Sequence, residues 1–343
     1  MTTPSRALVT GGAGFIGSHL VDRLLRDGHE VTVIDNLSSG RLENLADARR
    51  HPGFELHQLD VADHEAVKPL FAGIRWVFHL AGIADIVPSV ERPLDYYRAN
   101  VTGTASVVEA ARLAGSERLV YAASSSCYGI PATYPTSESE TIRPQYPYAL
   151  SKYLGEQIVL HWAQVYGLQC VSLRLFNVYG PRSRTSGSYG AVFGVFLAQK
   201  LAGKPLTVVG TGEQTRDFTF VDDVVSAFVA AATAARSDLA GEAMNIGSGR
   251  AVSVNRLVEL LGGEVVHIPE RPGEPRCTLA DNSKALRLLG WQPRVTFEKG
   301  VTVMLEHIER WRDAPVWEPA SIERATAAWH RFLRNTTPKG EQC

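Results

Sequence analysis

A short apolar run, Ala7-Leu8-Val9, leads directly into Thr10-Gly11-Gly12-Ala13-Gly14-Phe15-Ile16-Gly17-Ser18-His19-Leu20, and this junction constrains the fold more than any other stretch. The run is of strand type, and Leu20, Val21, Leu24 and Leu25 continue it with helical spacing. Strand, glycine turn and helix therefore follow in order. Gly12, Gly14 and Gly17 satisfy G-x-G-x-x-G, while Gly11, Gly14 and Gly17 satisfy the looser G-x-x-G-x-x-G. Such glycines serve a tight turn, close backbone approach to a pyrophosphate, and helix-on-strand packing. The helix start then offers unpaired N–H groups and a positive dipole end to phosphate. A second strand, Val31-Thr32-Val33-Ile34, ends in Asp35, 18 residues beyond Gly17. A carboxylate there accepts hydrogen bonds from a ribose and repels a 2′-phosphate, which favours NAD over NADP. The turn is expected to bind NAD through Gly11, Gly14, Phe15, Ile16 and Gly17, with Asp35 on the ribose.

Further strands keep the alternation with helices that marks a parallel sheet. Phe54 to Leu59 closes on Asp60-Val61, where Asp60 reads either as an adenine contact or as a helix N-cap. Trp76 to Gly82 ends in small residues that let backbone approach a cofactor. His79 reads as a packed strand-end histidine, since no partner stands at metal-ligand spacing. A helix over about 93–114 begins at a proline and ends before Gly115. It carries Asn100, which reads as orienting a catalytic lysine or hydroxyl, or as a packing amide. Leu119 to Ala123 delivers Ser124-Ser125-Ser126 to the carboxyl edge of the sheet, the ligand-binding edge of open α/β sheets. A helix over about 147–166 and a sixth strand, Gln169 to Phe176, follow.

Beyond Asn177 the alternation weakens. Asp217 to Val221, an alanine-rich helix (Asp223 to Ala235) and Ala243 to Gly247 are expected to return to the sheet domain. The expected architecture is α/β: a Rossmann-type doubly wound parallel sheet with a smaller mixed α/β C-terminal substrate domain. Residues 1–176 and about 213–247 make the first unit, and about 177–212 and 248–343 the second. A last helix, Ser321 to Leu333, sets Ile322, Ala325, Trp329 and Leu333 at helical spacing, as a docking face on the body or on a second subunit.

A length of 343 residues suits two such units. A net charge of −1 gives no electrostatic reason for a nucleic-acid or anionic-membrane partner, and no apolar run reaches membrane-spanning length. The four cysteines, Cys127, Cys170, Cys277 and Cys343, form no C-x-x-C pair. That spacing, and an N-terminus without room for a signal peptide, fit a reduced cytoplasmic protein lacking a disulfide framework, structural zinc or other metal.

Tyr148 and Lys152 lie four apart on one helix face, downstream of the serine-rich strand end. A tyrosine with a pKa near 10 is a weak base at neutral pH, and lowering it by about 3 units takes roughly 4 kcal/mol. One ammonium at about 4 Å, at an effective dielectric of about 20, supplies roughly that. Lys152, with the positive nicotinamide ring, is expected to make Tyr148 a base. Ser124 is expected to hydrogen-bond the substrate oxygen.

With these motifs the chain resembles the extended short-chain dehydrogenase/reductase superfamily. Within it, the chain is similar to the nucleotide-sugar 4-epimerases, in particular the UDP-glucose and UDP-N-acetylglucosamine groups. The match runs from Ala7 to about Glu309. Its carrying segments are Thr10 to Gly17, Asp35 to Gly40, His79 to Gly82, Ser124 to Gly129, Tyr148 to Lys152, Phe176 to Pro181, Thr215 to Val221 and Arg271 to Asp281.

The resemblance implies catalytic Ser124, Tyr148 and Lys152. It extends the NAD contacts to Asn36, Ser38, Ser39, Gly40, Asp60, Val61, Leu80, Ala81, Gly82 and Asn100, besides Tyr148 and Lys152. It implies a nucleotide-sugar site of Asp85, Ser124, Ser125, Ser126, Tyr148, Asn177, Arg216, Arg271, Glu274 and Thr278. Arg216 and Arg271 would clamp the diphosphate, which suits the fixed fork of a guanidinium.

Related 4,6-dehydratases and a decarboxylase carry Glu where this chain has Ser126, and the dehydratases carry Asp at Ser125. Two hydroxyls are poor substitutes for the acid and base of a dehydration. Thr278 stands where a bulky Tyr narrows the pocket of epimerases restricted to unacetylated sugars. Asp85 disfavours a uronic acid, and Asn177 rather than Thr points the same way. The implied activity is NAD-dependent C4 inversion of a UDP-hexose, glucose/galactose or their N-acetylamino forms, through a transient 4-keto sugar. Rivals are 4,6-dehydration, decarboxylation or net 4-keto reduction, and more remotely a non-catalytic NAD-binding regulator. The family also implies a homodimer through helices about 93–114 and 147–166.

Overall fold

The computed structural model describes residues 4–183 and 191–333. Cys343 and the parts of the expected second unit at 184–190 and 334–343 lie outside the described residues. Seven strands form one sheet. Strands β1 (Arg6–Thr10), β2 (Glu30–Ile34), β3 (Phe54–His57), β4 (Trp76–His79), β5 (Arg118–Ser124) and β6 (Cys170–Leu175) appear where the pattern placed them. The edge strand Glu242–Ile246 joins β6, so the chain does return to the sheet. The spatial order is edge strand, β6, β5, β4, β1, β2, β3, and every pairing is parallel.

The order reverses between β1 and β4, and such a switch point opens a crevice at the carboxyl ends of the strands. Alternate residues of the strands feed two cores. Val9, Val33, Phe78 and Val120 pack under helix α1 (Phe15–Arg26) and helix Val221–Thr233. Leu8, Val77, Leu119 and Tyr121 pack on the other face against Val107, Val108 and Val159. A sheet buried on both faces is why these strands read as near-continuous apolar runs. Leu8 is fully buried, so Leu8→Ala would cost about 2–5 kcal/mol.

The helix expected over 93–114 is interrupted. Pro93–Tyr97 and Gly103–Ala114 are joined by a π turn, Arg98–Thr102, that contains the buried Asn100. Gly115 ends it at φ 68°, a left-handed conformation suited to glycine. Helix Pro147–Tyr166 runs its expected length.

The smaller region holds a parallel pair, Leu206–Val209 with Val265–Ile268, and an antiparallel pair, Thr215–Asp217 with Ala251–Ser253. These strands are too short for periodicity to reveal. Tyr179 stacks on Phe193 there, with centroids 4.6 Å apart.

The expected terminal helix is two helices, Pro319–Ala325 and Ala327–Phe332, separated at Thr326. The Thr326 hydroxyl donates to the Ile322 carbonyl, a local bond that competes with helix continuation. Ile322, Trp329 and Leu333 are buried against the body, as a docking face requires. Cys127 and Cys170 are free and buried.

Candidate active site

A cavity of about 830 Å³ follows the crevice from the glycine turn to the smaller region. Its walls include Gly11, Gly14, Phe15, Ile16 and Gly17 from the turn, and Asp35, Asn36, Ser38 and Ser39 from the end of β2. Asp60, Val61, Leu80, Ala81 and Gly82 complete that end. The turn is a cradle that side chains would fill. A Cβ on Gly17 would collide with the Gly11 carbonyl oxygen. One on Gly11, at φ 71°, would lie 2.7 Å from the Ala81 nitrogen. Gly14 caps α1 without a side-chain bond, and no acidic residue stands in the first turn. The helix start is thus left for an anion.

Asp35 accepts from the Ala13 amide at 2.9 Å and the Leu37 amide at 2.8 Å. Burial raises its carboxyl above the ordinary range, against those two bonds. Gly40 is not on the cavity wall, and a Cβ there would meet the Asp35 carboxylate at 2.9 Å. Asp60 accepts from the Ala62 amide at 2.9 Å and from Arg98 at 3.0 Å. The N-cap alternative fails, because Asp63 caps the next helix, His64–Val67, by accepting from the Ala66 amide.

His79 is fully buried between Thr10 and Thr104, 2.7 and 2.9 Å from their hydroxyls. Burial pushes it down to about 3, so it stays neutral as a packed strand-end residue. The Asn100 amide donates to the Ile83 carbonyl and to Ser151, and accepts from the Ile83 amide at 2.8 Å. It therefore fixes the loop after Gly82 to helix Pro147–Tyr166.

Ser124, at the end of β5, accepts from the Ser126 amide at 3.2 Å, and the two hydroxyls lie 2.8 Å apart. It also hydrogen-bonds the Tyr148 hydroxyl. Lys152 is buried one turn further along the helix, with its ammonium 4.3 Å from the Tyr121 ring centroid. In the protein alone Lys152 does not lower Tyr148. Burial raises the Tyr148 hydroxyl, Ser124 opposes it, and the Asp85 carboxylate adds to the rise. Burial likewise pushes Lys152 down to about 7, against the pull of Glu156. In both groups burial disfavours the charged form.

At the far end Arg216 donates to Glu274 at 2.8 Å, and Arg271 lies 3.7 Å from the same carboxylate. Burial would raise Glu274, but Arg271 and Arg216 pull it below its ordinary value. Arg216, Arg271, Glu274, Asp85 and Asn177 all line the cavity. Thr278 does not. Its hydroxyl donates to the Asn177 side chain at 2.7 Å and accepts from the Asp217 amide at 2.9 Å. The cavity wall beside Ser124, Tyr148, Lys152 and Asn100 is formed by Ala122, Gly82 and Asp85.

Sequence reasoning missed Tyr146, Arg98 and the site role of Trp329. Trp329 had a signal, the apolar stripe of the last helix. Arg98 had none, because its pairing with Asp60 crosses 38 residues. Among the described residues no group of three His, Cys, Asp or Glu is arranged to hold a metal. No described helix is long and apolar enough to cross a membrane.

A family model described as "NAD dependent epimerase/dehydratase family" matches residues 7–247. The chain is 42% identical over 311 residues to the UDP-glucose 4-epimerase of Mycolicibacterium smegmatis, covering 88% of this chain and 97% of that protein. It is 34% identical over 316 residues to UDP-glucuronic acid decarboxylase 1 of Xenopus tropicalis, covering 89% of this chain and 72% of that one. Among solved structures it is similar to the UDP-N-acetylglucosamine 4-epimerase of Methanobrevibacter ruminantium M1 in complex with UDP-N-acetylmuramic acid. That match has a TM-score of 0.84 and 32% identity, and covers 90% of this chain and 99% of that chain.

Proposed function

Because the chain belongs to the NAD-dependent epimerase/dehydratase family, we propose that it is an isomerase that inverts C4 of a UDP-hexose, glucose/galactose in the first place. The observation that carries this reading is the Ser124–Tyr148–Lys152 constellation at the sheet edge, flanked by hydroxyls at Ser125 and Ser126. The glycine cradle and the Asp35 carboxylate fit NAD. When bound, NAD supplies a hydride acceptor and donor and, in its oxidised form, a positive ring.

The chain's own residues handle the proton and the sugar. Tyr148 takes the proton of the C4 hydroxyl, Ser124 holds that oxygen, and Lys152 offers the ammonium that favours the tyrosinate. Arg216 and Arg271 hold the diphosphate, so the 4-keto sugar, tethered only by its nucleotide, can present its other face. With NAD bound to accept the C4 hydride and give it back on that face, the product would be the C4 epimer, without net redox change.

A decarboxylase reading has relatives in its favour, the UDP-glucuronic acid decarboxylases of Xenopus tropicalis, Danio rerio and Arabidopsis thaliana at 33–34% identity. Ser126 and Asp85 count against it, because a hydroxyl replaces the acidic side chain and a carboxylate repels a uronic acid. Incubation with UDP-glucose and with UDP-N-acetylglucosamine, with C4 epimers resolved by NMR, tests the proposal. No interconversion of either would refute it, and CO₂ release from UDP-glucuronic acid would establish the rival. Exposed Leu113, Leu150, Val165 and Tyr166 on helices Gly103–Ala114 and Pro147–Tyr166 support a homodimer through these helices. Sedimentation as a monomer at micromolar concentration would refute it.

A further inference from the structure

The segment past Glu309 extends beyond most of the family resemblance. The M. smegmatis protein is covered over 97% of its length by only 88% of this chain. Yet this segment reaches the site. Trp329, on helix Ala327–Phe332, lines the same cavity as Arg271 and Glu274 and is only 4% exposed.

Its indole N–H donates to the Pro272 carbonyl at 2.6 Å, the residue next to Arg271. Its ring lies 5.7 Å from the Arg271 guanidinium carbon, within cation–π range. On its other side it meets the Tyr146 ring, with centroids 6.5 Å apart, and Tyr146 stacks on Tyr148 at 6.3 Å. Val87 and Leu333 complete the cluster.

Arg271 stands in a stretch, residues 269–279, with no helix or strand to hold it. Its ion pair with Glu274 is loose at 3.7 Å, whereas Arg216 holds the same carboxylate at 2.8 Å. The indole grips both the backbone beside Arg271 and its head group.

We propose that the C-terminal segment is a built-in wall of the nucleotide-sugar site, and that Trp329 is a positioning residue that aims Arg271 at the substrate diphosphate. This rests on the UDP-hexose reading above. A positioning role predicts a loss confined to ligands that carry a diphosphate. A purely structural anchor predicts a loss common to every ligand, or none.

The test is calorimetric binding of UDP and of uridine to the full-length NAD-loaded protein. In Trp329→Ala, UDP affinity should fall about tenfold or more, while uridine affinity changes less than about twofold. Trp329→Phe keeps a ring face but loses the N–H, and should lie between. Unchanged UDP affinity in folded Trp329→Ala, or equal losses for UDP and uridine, would overturn the proposal. If Trp329→Ala does not fold, the cycle of Trp329→Phe with Arg271→Ala decides. The Phe change should cost nothing further once Arg271 is gone, and full additivity would overturn the inference. Failure of the wild type to bind UDP would refute the uridine reading instead. Inorganic pyrophosphate then serves as the probe, with the same two outcomes for Trp329.

Discussion

The rings of Tyr146 and Tyr148 lie parallel, 9° apart with centroids 6.3 Å apart, although the residues stand only two apart in the chain. Tyr146 caps its helix in an extended conformation, φ −150° and ψ 163°, which lets its ring fold onto the first helical turn. Tyr96 closes the other edge of Tyr148 in a T-shaped contact at 6.4 Å. The hydroxyl of Tyr148 meets Ser124.

Tyr148→Phe keeps this packing and removes the proton acceptor. Turnover should fall by about 10²–10⁴, the usual worth of general acid–base catalysis, with UDP affinity within about twofold of wild type. Tyr146→Phe should retain most turnover. Epimer ratios followed by NMR check both, and an active Tyr148→Phe would remove Tyr148 from the mechanism.

Gly17→Ala places a methyl group against the Gly11 carbonyl, so the turn must open. The protein should purify with less than about half the wild-type NAD, read by chromatography of the nucleotide released on denaturation. Wild-type NAD content would show that the cradle tolerates a side chain.

Glu274→Gln leaves Arg216 and Arg271 without their shared countercharge. Breaking a fully buried pair costs about 3–5 kcal/mol, and the partial exposure of Glu274 places this one at or below the low end. The melting temperature should drop by several degrees, and UDP should restore more of it than it adds to the wild type. Differential scanning fluorimetry with and without UDP reads this directly.

Lys152 gives a pH signature. Its folded value of about 7 lies below the ordinary 10.5, so between these the unfolded chain binds a proton that the folded chain lacks. Stability therefore rises with pH in that window, by up to about 1.4 kcal/mol per unit, and the effect vanishes below about pH 7, where both states are protonated. Nucleotide-stripped wild type should gain on Lys152→Met between about pH 7 and 10 in urea titrations. Above pH 10 the raised Tyr148 hydroxyl acts in the opposite sense, since the folded state then holds the extra proton. A flat difference from pH 7 to 10 would show Lys152 to be charged in the folded protein.

By itself the sequence determined the strand–turn–helix at Thr10 to Gly17, the end of β2 at Asp35, and the serine-rich end of β5. It also set Tyr148 and Lys152 on one helix face. Each is a local matter: residue type, period and turn chemistry act within a few residues, and parallel strands buried on both faces announce themselves as apolar runs. Tertiary structure decided the rest. The partner of Asp60, the join of Arg216 and Arg271 through Glu274, and the bond from Thr278 to Asn177 link residues far apart in the chain. No local period encodes such pairings. Burial decided the protonation of Tyr148 and Lys152, because the cost of removing a charge from water depends on what surrounds it and exceeds what one neighbour at helical spacing returns. Trp329 shows both sides. Its helical spacing marked a face that had to be buried, and only the folded chain brought that face to Arg271 and Tyr146.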